Sequence, residues 1–197
     1  MLTTERLTLR PFTAGDAEAF LALAGHWEVA RMTSDIPHPL SLDDARRWLE
    51  PAPREARFAL IENNTMIGGA GYFLQASGDA ELGFWLGRAH WGRGLATEAV
   101  KAVVGYGLAH GGAPAFTSAH FTDNPASGRV LAKLGFVATG TARIHSMARG
   151  ADIAAICYHL PRVVAEARLG IDASPPAESA ARNGRLTSLF GRFTGTG

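Results

Sequence analysis

The chain has one cysteine, Cys157. That excludes an intrachain disulfide and fits a reducing compartment. It has little charge of either sign to spare: 19 Lys and Arg stand against 18 Asp and Glu, a net charge of +1. No global field therefore favours nucleic acid or anionic lipid. No run approaches the roughly 20 apolar residues that span a bilayer. The opening Met1-Leu2-Thr3-Thr4-Glu5-Arg6 has no apolar signal core, and internal repeats are absent. These absences predict a cytoplasmic protein without nucleic-acid or membrane partners. What is present is a 47% apolar chain of 197 residues, enough for one domain with a proper core and an appendage.

The chain is organised around Glu81 to His110. Ala80 to Leu86 is a short aromatic and apolar run that reads as a strand. Ala96, Ala99, Val100, Val103 and Val104 then recur at helical spacing. Gly92 and Gly94 fall where the strand gives way to the helix. They can take positive φ and let another molecule approach the backbone. The first helical turn offers free N–H groups and the positive end of its dipole, a seat for a phosphate or pyrophosphate. A P-loop is excluded, because its glycine spacing and lysine are missing. A dinucleotide fingerprint fails at its third glycine, where Thr97 stands, and the loop comes mid-chain.

Around this centre, Arg6–Arg10 reads as a first strand ending at Pro11, and Thr13 as the cap of a helix that Gly25 can stop. His26–Leu40 reads as irregular. Ser41 and Asp44 resemble a capping box ahead of a helix through Trp48 and Leu49. Arg57–Glu62 and Thr65–Phe73 read as a hairpin turned by Asn63-Asn64. Gly68, Gly69 and Gly71 suggest a bulge or close packing in its second strand. Ala115–Phe121 is a further strand, and Asn124-Pro125 opens a helix that stops at Gly135. Phe136–His145 and Ile153–Leu160 read as a closing pair. From Val163 the apolar pattern fails, which divides the chain into a domain over 1–161 and a flexible tail over 162–197. Within that tail, Arg182–Phe193 has some amphipathic character. The order β-α-α-β-β-β-α-β-α-β-β predicts an α+β fold with at least one parallel crossover.

Three stretches carry a family resemblance. Thr4-Glu5-Arg6-Leu7-Thr8-Leu9-Arg10-Pro11-Phe12 with Gly15-Asp16-Ala17, then Ala80–Gly87 with Trp91-Gly92-Arg93-Gly94-Leu95-Ala96-Thr97-Glu98-Ala99, and lastly Asp123-Asn124-Pro125-Ala126-Ser127 with Leu131, Lys133, Leu134, Gly135 and Phe136 occur in that order. Together they resemble the RimJ/RimL-type branch of the GNAT N-acetyltransferase superfamily over about residues 4–160. Trp91 stands where many GNAT loops have Gln or Arg, but it is common in that branch. The resemblance implies a mixed, mostly antiparallel twisted sheet of six to seven strands with about four helices. It implies acetyl-CoA as cosubstrate, no metal, and a primary amine as acceptor.

The same resemblance distributes the roles. Trp91, Gly92, Arg93, Gly94, Leu95, Ala96 and Thr97 would hold the CoA pyrophosphate, chiefly through backbone N–H groups. Phe84, Trp85 and Leu86 would line the pantetheine arm, with an N–H near Leu86 polarising the thioester carbonyl. Asn124 would cap its helix and touch the pantetheine or an active-site water. Ser127 would protonate the departing thiolate. Glu81 and His120 are the candidate bases, set against a surface or paired acid and a structural histidine. Glu98 reads as a surface acid favourable at a helix N-terminus, and His26, Trp27 and Arg31 as candidate walls of the acceptor pocket. A peptide α-amine, with pKa ~7.7–8.0, sheds its proton at pH 7 for about 1–1.4 kcal/mol, against roughly 4.6 for a lysine. The sparse evidence for a base therefore favours an N-terminal α-amine. A small amine (amino acid, polyamine or aminoglycoside) and an idle acetyl-CoA-binding sensor are the alternatives, as monomer or homodimer.

Overall fold

The computed structural model describes residues 1–170. Eight strands form one sheet in the order β1-β2-β3-β4-β5-β6-β8-β7. They are β1 (Leu2–Thr3), β2 (Thr8–Pro11), β3 (Glu55–Glu62), β4 (Thr65–Leu74), β5 (Ala80–Leu86), β6 (Ala115–Phe121), β7 (Val137–Ser146) and β8 (Ala151–Pro161). Every neighbouring pair is antiparallel except β5 and β6. The helices are α1 (Ala17–Ala24), α2 (Trp27–Ala30), α3 (Leu42–Leu49), α4 (Leu95–Tyr106), α5 (Pro125–Lys133) and α6 (Arg162–Leu169). The α+β expectation holds, with a strand and two helices more than the sequence suggested. The extra strand is the two-residue β1, and the extra helices are the four-residue α2 and the eight-residue α6.

The local signals act where they stand. Asn63 and Asn64 both take left-handed φ, 49° and 63°, which asparagine tolerates and a tight hairpin turn requires. Ser41 and Asp44 complete their capping box at the start of α3. A Cβ on Gly68 would lie 2.3 Å from the Trp85 carbonyl oxygen. The register of β3 against β4 slips nearby, between Leu60 and Ile61. Both the close packing and the bulge expected of this glycine-rich strand are therefore present.

Two apolar layers cover the sheet. Alternation along β5 sends Ala80, Leu82 and Leu86 into the layer with α4, α5 and α6, and Trp85 into the layer with α1, α2 and α3. At the start of the second layer, Arg10 grips Asp16 through Nη1–Oδ2 at 2.8 Å and Nη2–Oδ1 at 2.6 Å, and the Thr13 N–H donates to Asp16 Oδ2 at 2.7 Å. The Arg10 bonds hold the Asp16 carboxyl down at about 2, against an ordinary 3.8. A depressed carboxyl stabilises the fold above its unfolded pKa and loses that contribution as pH falls through the folded one. Asp16→Asn should therefore cost about 1–2 kcal/mol at neutral pH, allowing for the part of Arg10 that water reaches. The gap to the parent should close as pH falls from 3.8 toward about 2. Urea titrations at several pH values measure this, and a gap that widens with acid would contradict it.

The first residues of the stretch expected to be a tail are folded. Residues 162–169 form α6 on the domain surface. The Arg162 N–H donates to Pro114 O at 2.9 Å, its Nη2 to Leu108 O at 2.9 Å, and its Nε pairs with Glu166 at 2.6 Å. Ala165 is buried and Leu169 packs on the core. The apolar pattern failed there because Val163 and Val164 face water. The domain thus runs to at least Gly170, and the amphipathic stretch 182–193 lies outside the described residues.

Candidate active site

The parallel pairing of β5 and β6 extends over Ala80↔Phe116 and Glu81↔Thr117 and then stops. Beyond it the strands part. The Gly87 N–H bonds to Ile67 O on the β4 side at 2.9 Å. Strand alternation therefore turns the N–H and C=O groups of Phe84 and Leu86 toward the gap. Two side chains brace its rims: Ser118 Oγ donates to Leu82 O at 2.9 Å, and the Trp91 indole Nε1 donates to Leu86 O at 2.8 Å. The Phe84 amide groups and the Leu86 N–H face the gap with no β6 residue opposite.

The gap belongs to a cavity of about 650 Å³ that crosses the sheet from the glycine loop to the α2–α3 connection. At one end, Gly92 and Gly94 take left-handed φ of 74° and 80°, and Gly94 is the N-cap of α4 without a side-chain cap. The first N–H groups of α4 have no carbonyl one turn back. Trp91, Gly92, Gly94, Leu95, Ala96 and Thr97 all line the cavity, as do Phe84, Trp85 and Leu86. Arg93 does not: its guanidinium grips Glu62 at 2.8 and 2.7 Å, and its carbonyl accepts from Arg6 at 2.9 Å. Its side chain is the one member of the expected pyrophosphate loop that the fold uses elsewhere. Glu98 is likewise structural, accepting from Thr4 Oγ1, the Arg6 N–H and the Arg6 guanidinium. Burial pushes the Glu98 carboxyl up, and those bonds outweigh it.

On the β6 side, Asn124 is the N-cap of α5, its Oδ1 accepting from the Ser127 N–H at 3.3 Å. Asn124, Ser127 and His120 all line the cavity. His120 Nδ1 donates to Phe121 O at 2.8 Å, since a carbonyl can only accept. That fixes the tautomer and leaves Nε2 to accept from Tyr158 O–H at 3.2 Å. His120 Nε2 would be 2.5 Å from a Cβ on Gly128, so α5 lies directly over this ring.

Glu81 is placed differently. Sheet alternation puts it on the face with Trp85, opposite the face of Phe116, Ser118 and His120. Its Oε2 accepts from Gln75 Nε2 at 2.6 Å, and it is not among the cavity-lining residues. Burial pushes its carboxyl up against the Gln75 bond, and the Asp35 carboxylate adds to the rise. Glu81 and His120, the alternative candidates for the base, thus stand on opposite faces of the sheet.

The acceptor end was the part least visible in the sequence. Among the expected wall residues, Arg31 pairs with Asp123 at 2.9 Å, while Trp27 lies half exposed against His38. Arg149 also pairs with Asp123 at 2.9 Å, and its Nε donates to Arg31 O at 2.8 Å. Ser34 O accepts from the Met147 N–H at 2.9 Å. The irregular stretch after α2 is thereby tied to the β7–β8 turn. Ser34 and Asp35, neither of which the sequence singled out, line the cavity beside Val29, Met32 and Trp48. A turn-like Thr-Ser-Asp-Ile-Pro run gives no hint of that, because the contacts come from α3 and the distant hairpin.

The family model for the Acetyltransferase (GNAT) domain matches residues 6–137. YoaA of Bacillus subtilis (strain 168), described as an uncharacterized N-acetyltransferase, is 33% identical over 159 residues, covering 76% of this chain and 90% of that one. Among solved structures, a spermidine N-acetyltransferase of Vibrio cholerae in complex with CoA and spermine superposes with a TM-score of 0.71. It is 17% identical and covers 82% of this chain and 99% of that one. The ribosomal L7/L12 α-N-protein acetyltransferase RimL in complex with CoA gives a TM-score of 0.69 at 17% identity, covering 80% and 95%. At these identities the structural likeness speaks for the fold alone.

Proposed function

The chain belongs to the GNAT family of acetyl-CoA-dependent N-acetyltransferases, and from that premise we propose that its acceptor is the free α-amine of a peptide or protein N-terminus. Acetyl-CoA supplies the acyl group. In this reading its pyrophosphate sits on the N–H groups of Gly92 to Thr97, where two left-handed glycines and the α4 dipole favour it. Its pantetheine arm occupies the gap between β5 and β6 and pairs with the Phe84 backbone. The Leu86 N–H faces the thioester oxygen, where negative charge develops. The amine attacks the carbonyl carbon as the free base and the C–S bond breaks. Ser127 Oγ passes its proton to the leaving thiolate and is reprotonated by the proton that the attacking nitrogen sheds as the amide forms, so sulfur gains one proton and nitrogen loses one. Holding both reactants in one cavity supplies much of the acceleration.

The observation that carries the choice of acceptor is the charge at the acceptor end. Two carboxylates line the cavity among the described residues, Asp35 and Asp123. Asp123 is already paired with Arg31 and Arg149. A polyamine or aminoglycoside would bring several ammonium groups to one remaining carboxylate, whereas an N-terminus brings one. Glu81 lies off the lining, and the one acceptor nitrogen of His120 is already met by the Tyr158 hydroxyl, so the acceptor is best an amine that sheds its proton cheaply, as an α-amine does.

A thiol-release assay with acetyl-CoA tests this against peptides with free N-termini, their N-acetylated twins, spermidine and kanamycin. Release should need a free N-terminus. Faster turnover of spermidine or kanamycin would overturn the assignment.

Glu81→Gln supplies an independent check. The amide keeps a partner for Gln75 and removes a buried charge. A carboxyl whose folded pKa lies above its unfolded 4.5 makes the parent lose stability as pH rises above that value. The variant should therefore melt higher than the parent at neutral pH. Its kcat should change by less than about threefold, against the 10²–10⁴ of a true general base. A deep loss of kcat that high pH restores would make Glu81 the base.

A further inference from the structure

The acceptor end of the cavity contains two polar groups that the fold leaves with something to bind. Ser34 is 2% exposed, yet its Oγ has no hydrogen-bond partner. A buried hydroxyl in that state costs free energy unless a ligand completes it. Its neighbour Asp35 receives the Trp48 indole N–H on Oδ2 at 2.8 Å and also its own backbone N–H, and the two oxygens of a carboxylate can accept more bonds than these two. Both residues line the cavity. Their backbone is held rigidly: Ser146 Oγ donates to Thr33 O at 3.3 Å and the Met147 N–H to Ser34 O at 2.9 Å. The same cavity has open space at Gly83 on β5, where a Cβ would meet nothing within 4 Å.

We propose that Ser34 and Asp35 form the seat of the acceptor amine, Asp35 accepting its N–H groups and Ser34 Oγ completing the contact, with an uncharged neighbouring group of the acceptor lying against Val29 and Met32. This rests on the amine-acetyltransferase reading above and narrows it to acceptors with one amine beside an apolar or small group. The charge around the seat suits that occupant. On β3, Arg57 is engaged by Glu55 at 2.8 Å and by the Trp48 and Glu50 carbonyls at 2.6 Å each. Glu81 on β5 lies within electrostatic reach. An arriving ammonium thus meets two acids, the part-buried Asp35 on the cavity wall and the buried Glu81 behind it, while the Arg57 cation that acts on Asp35 is already engaged. Burial pushes the Asp35 carboxyl up, against the Trp48 bond and Arg57, which further suits a group that shares a proton with an amine.

Steady-state kinetics with two probes test this: an alanyl hexapeptide with a free N-terminus, and L-alaninamide, which carries the amine and no further chain. Asp35→Asn keeps an acceptor for the Trp48 indole. It should raise KM for both probes by about 10–100-fold, the loss expected when a charged hydrogen bond to a substrate is removed. Ser34→Ala should raise KM by about 3–10-fold and melt no lower than the parent, because the hydroxyl it removes has no partner to lose. Acetyl-CoA affinity by calorimetry should be unchanged in both. Unchanged KM in both variants would overturn the seat, as would a loss confined to the hexapeptide. If Asp35→Asn does not fold, Ser34→Ala alone decides. If the parent binds acetyl-CoA but acetylates neither probe nor any other amine, the amine reading itself fails, and that outcome is distinct from a failure of the seat.

Discussion

Gly94→Val abolishes acetyl-CoA binding if the loop works as its geometry implies. Gly94 is the N-cap of α4 at φ +80°, and the nearest atom to a Cβ there would be Arg6 Nη2 at 3.6 Å. The protein itself therefore leaves room for a small side chain. The penalty comes from the left-handed conformation, about 1–2 kcal/mol for a non-glycine residue, and from a branched side chain set against an incoming pyrophosphate. The backbone can relieve the strain only by rotating the N–H groups that should face the phosphates. Calorimetry should show acetyl-CoA affinity weakened by at least about 100-fold, from strain and lost phosphate contacts together. A folded Gly94→Val protein with parental affinity would remove the loop from the site.

Ser127→Ala should strike the chemistry and spare the binding. Ser127 Oγ donates to no protein group among the described residues, and its N–H stays bonded to Asn124 Oδ1. Alanine therefore keeps the α5 cap intact. If the hydroxyl protonates the thiolate, kcat should fall by roughly 10–10³-fold, within or just below the general-acid range, with acetyl-CoA affinity unchanged. Raising the pH should give no rescue, because alkali does not help to protonate a thiolate. Full kcat with lost affinity would make Ser127 a binding residue instead.

How far these sites could be read from the sequence depended on the range of the interactions that make them. Asn63-Asn64, Ser41 with Asp44, and Asn124-Pro125 act within a turn, and each stands where its residue types predict. The glycine loop is also local, and its cavity-lining residues form one run in the sequence interrupted at Arg93. The Arg93 side chain goes to Glu62, 31 positions away on the β3–β4 hairpin, a pairing that no local spacing records. Helix α6 hid behind two exposed valines, since it docks through Ala165, Leu169 and the Arg162 bonds to backbone carbonyls. Asp35 and Ser34 were invisible for the same reason. What makes them noteworthy is burial under α3 and the β7–β8 turn, and no spacing records that. The face on which Glu81 stands follows from strand alternation, but which residues of that face reach the cavity does not.

The central claim is direct transfer of an acetyl group from acetyl-CoA to an amine in the cavity between β5 and β6. Single-turnover mass spectrometry with enzyme in excess over isotopically labelled acetyl-CoA tests it most directly. With an N-terminally free peptide present, label should move to the peptide α-amine at the rate at which thiol appears, and no labelled protein should accumulate. Without peptide, label should stay on CoA. Labelled acetyl-protein formed before the peptide product, or thiol released with no acetylated amine, would contradict the account.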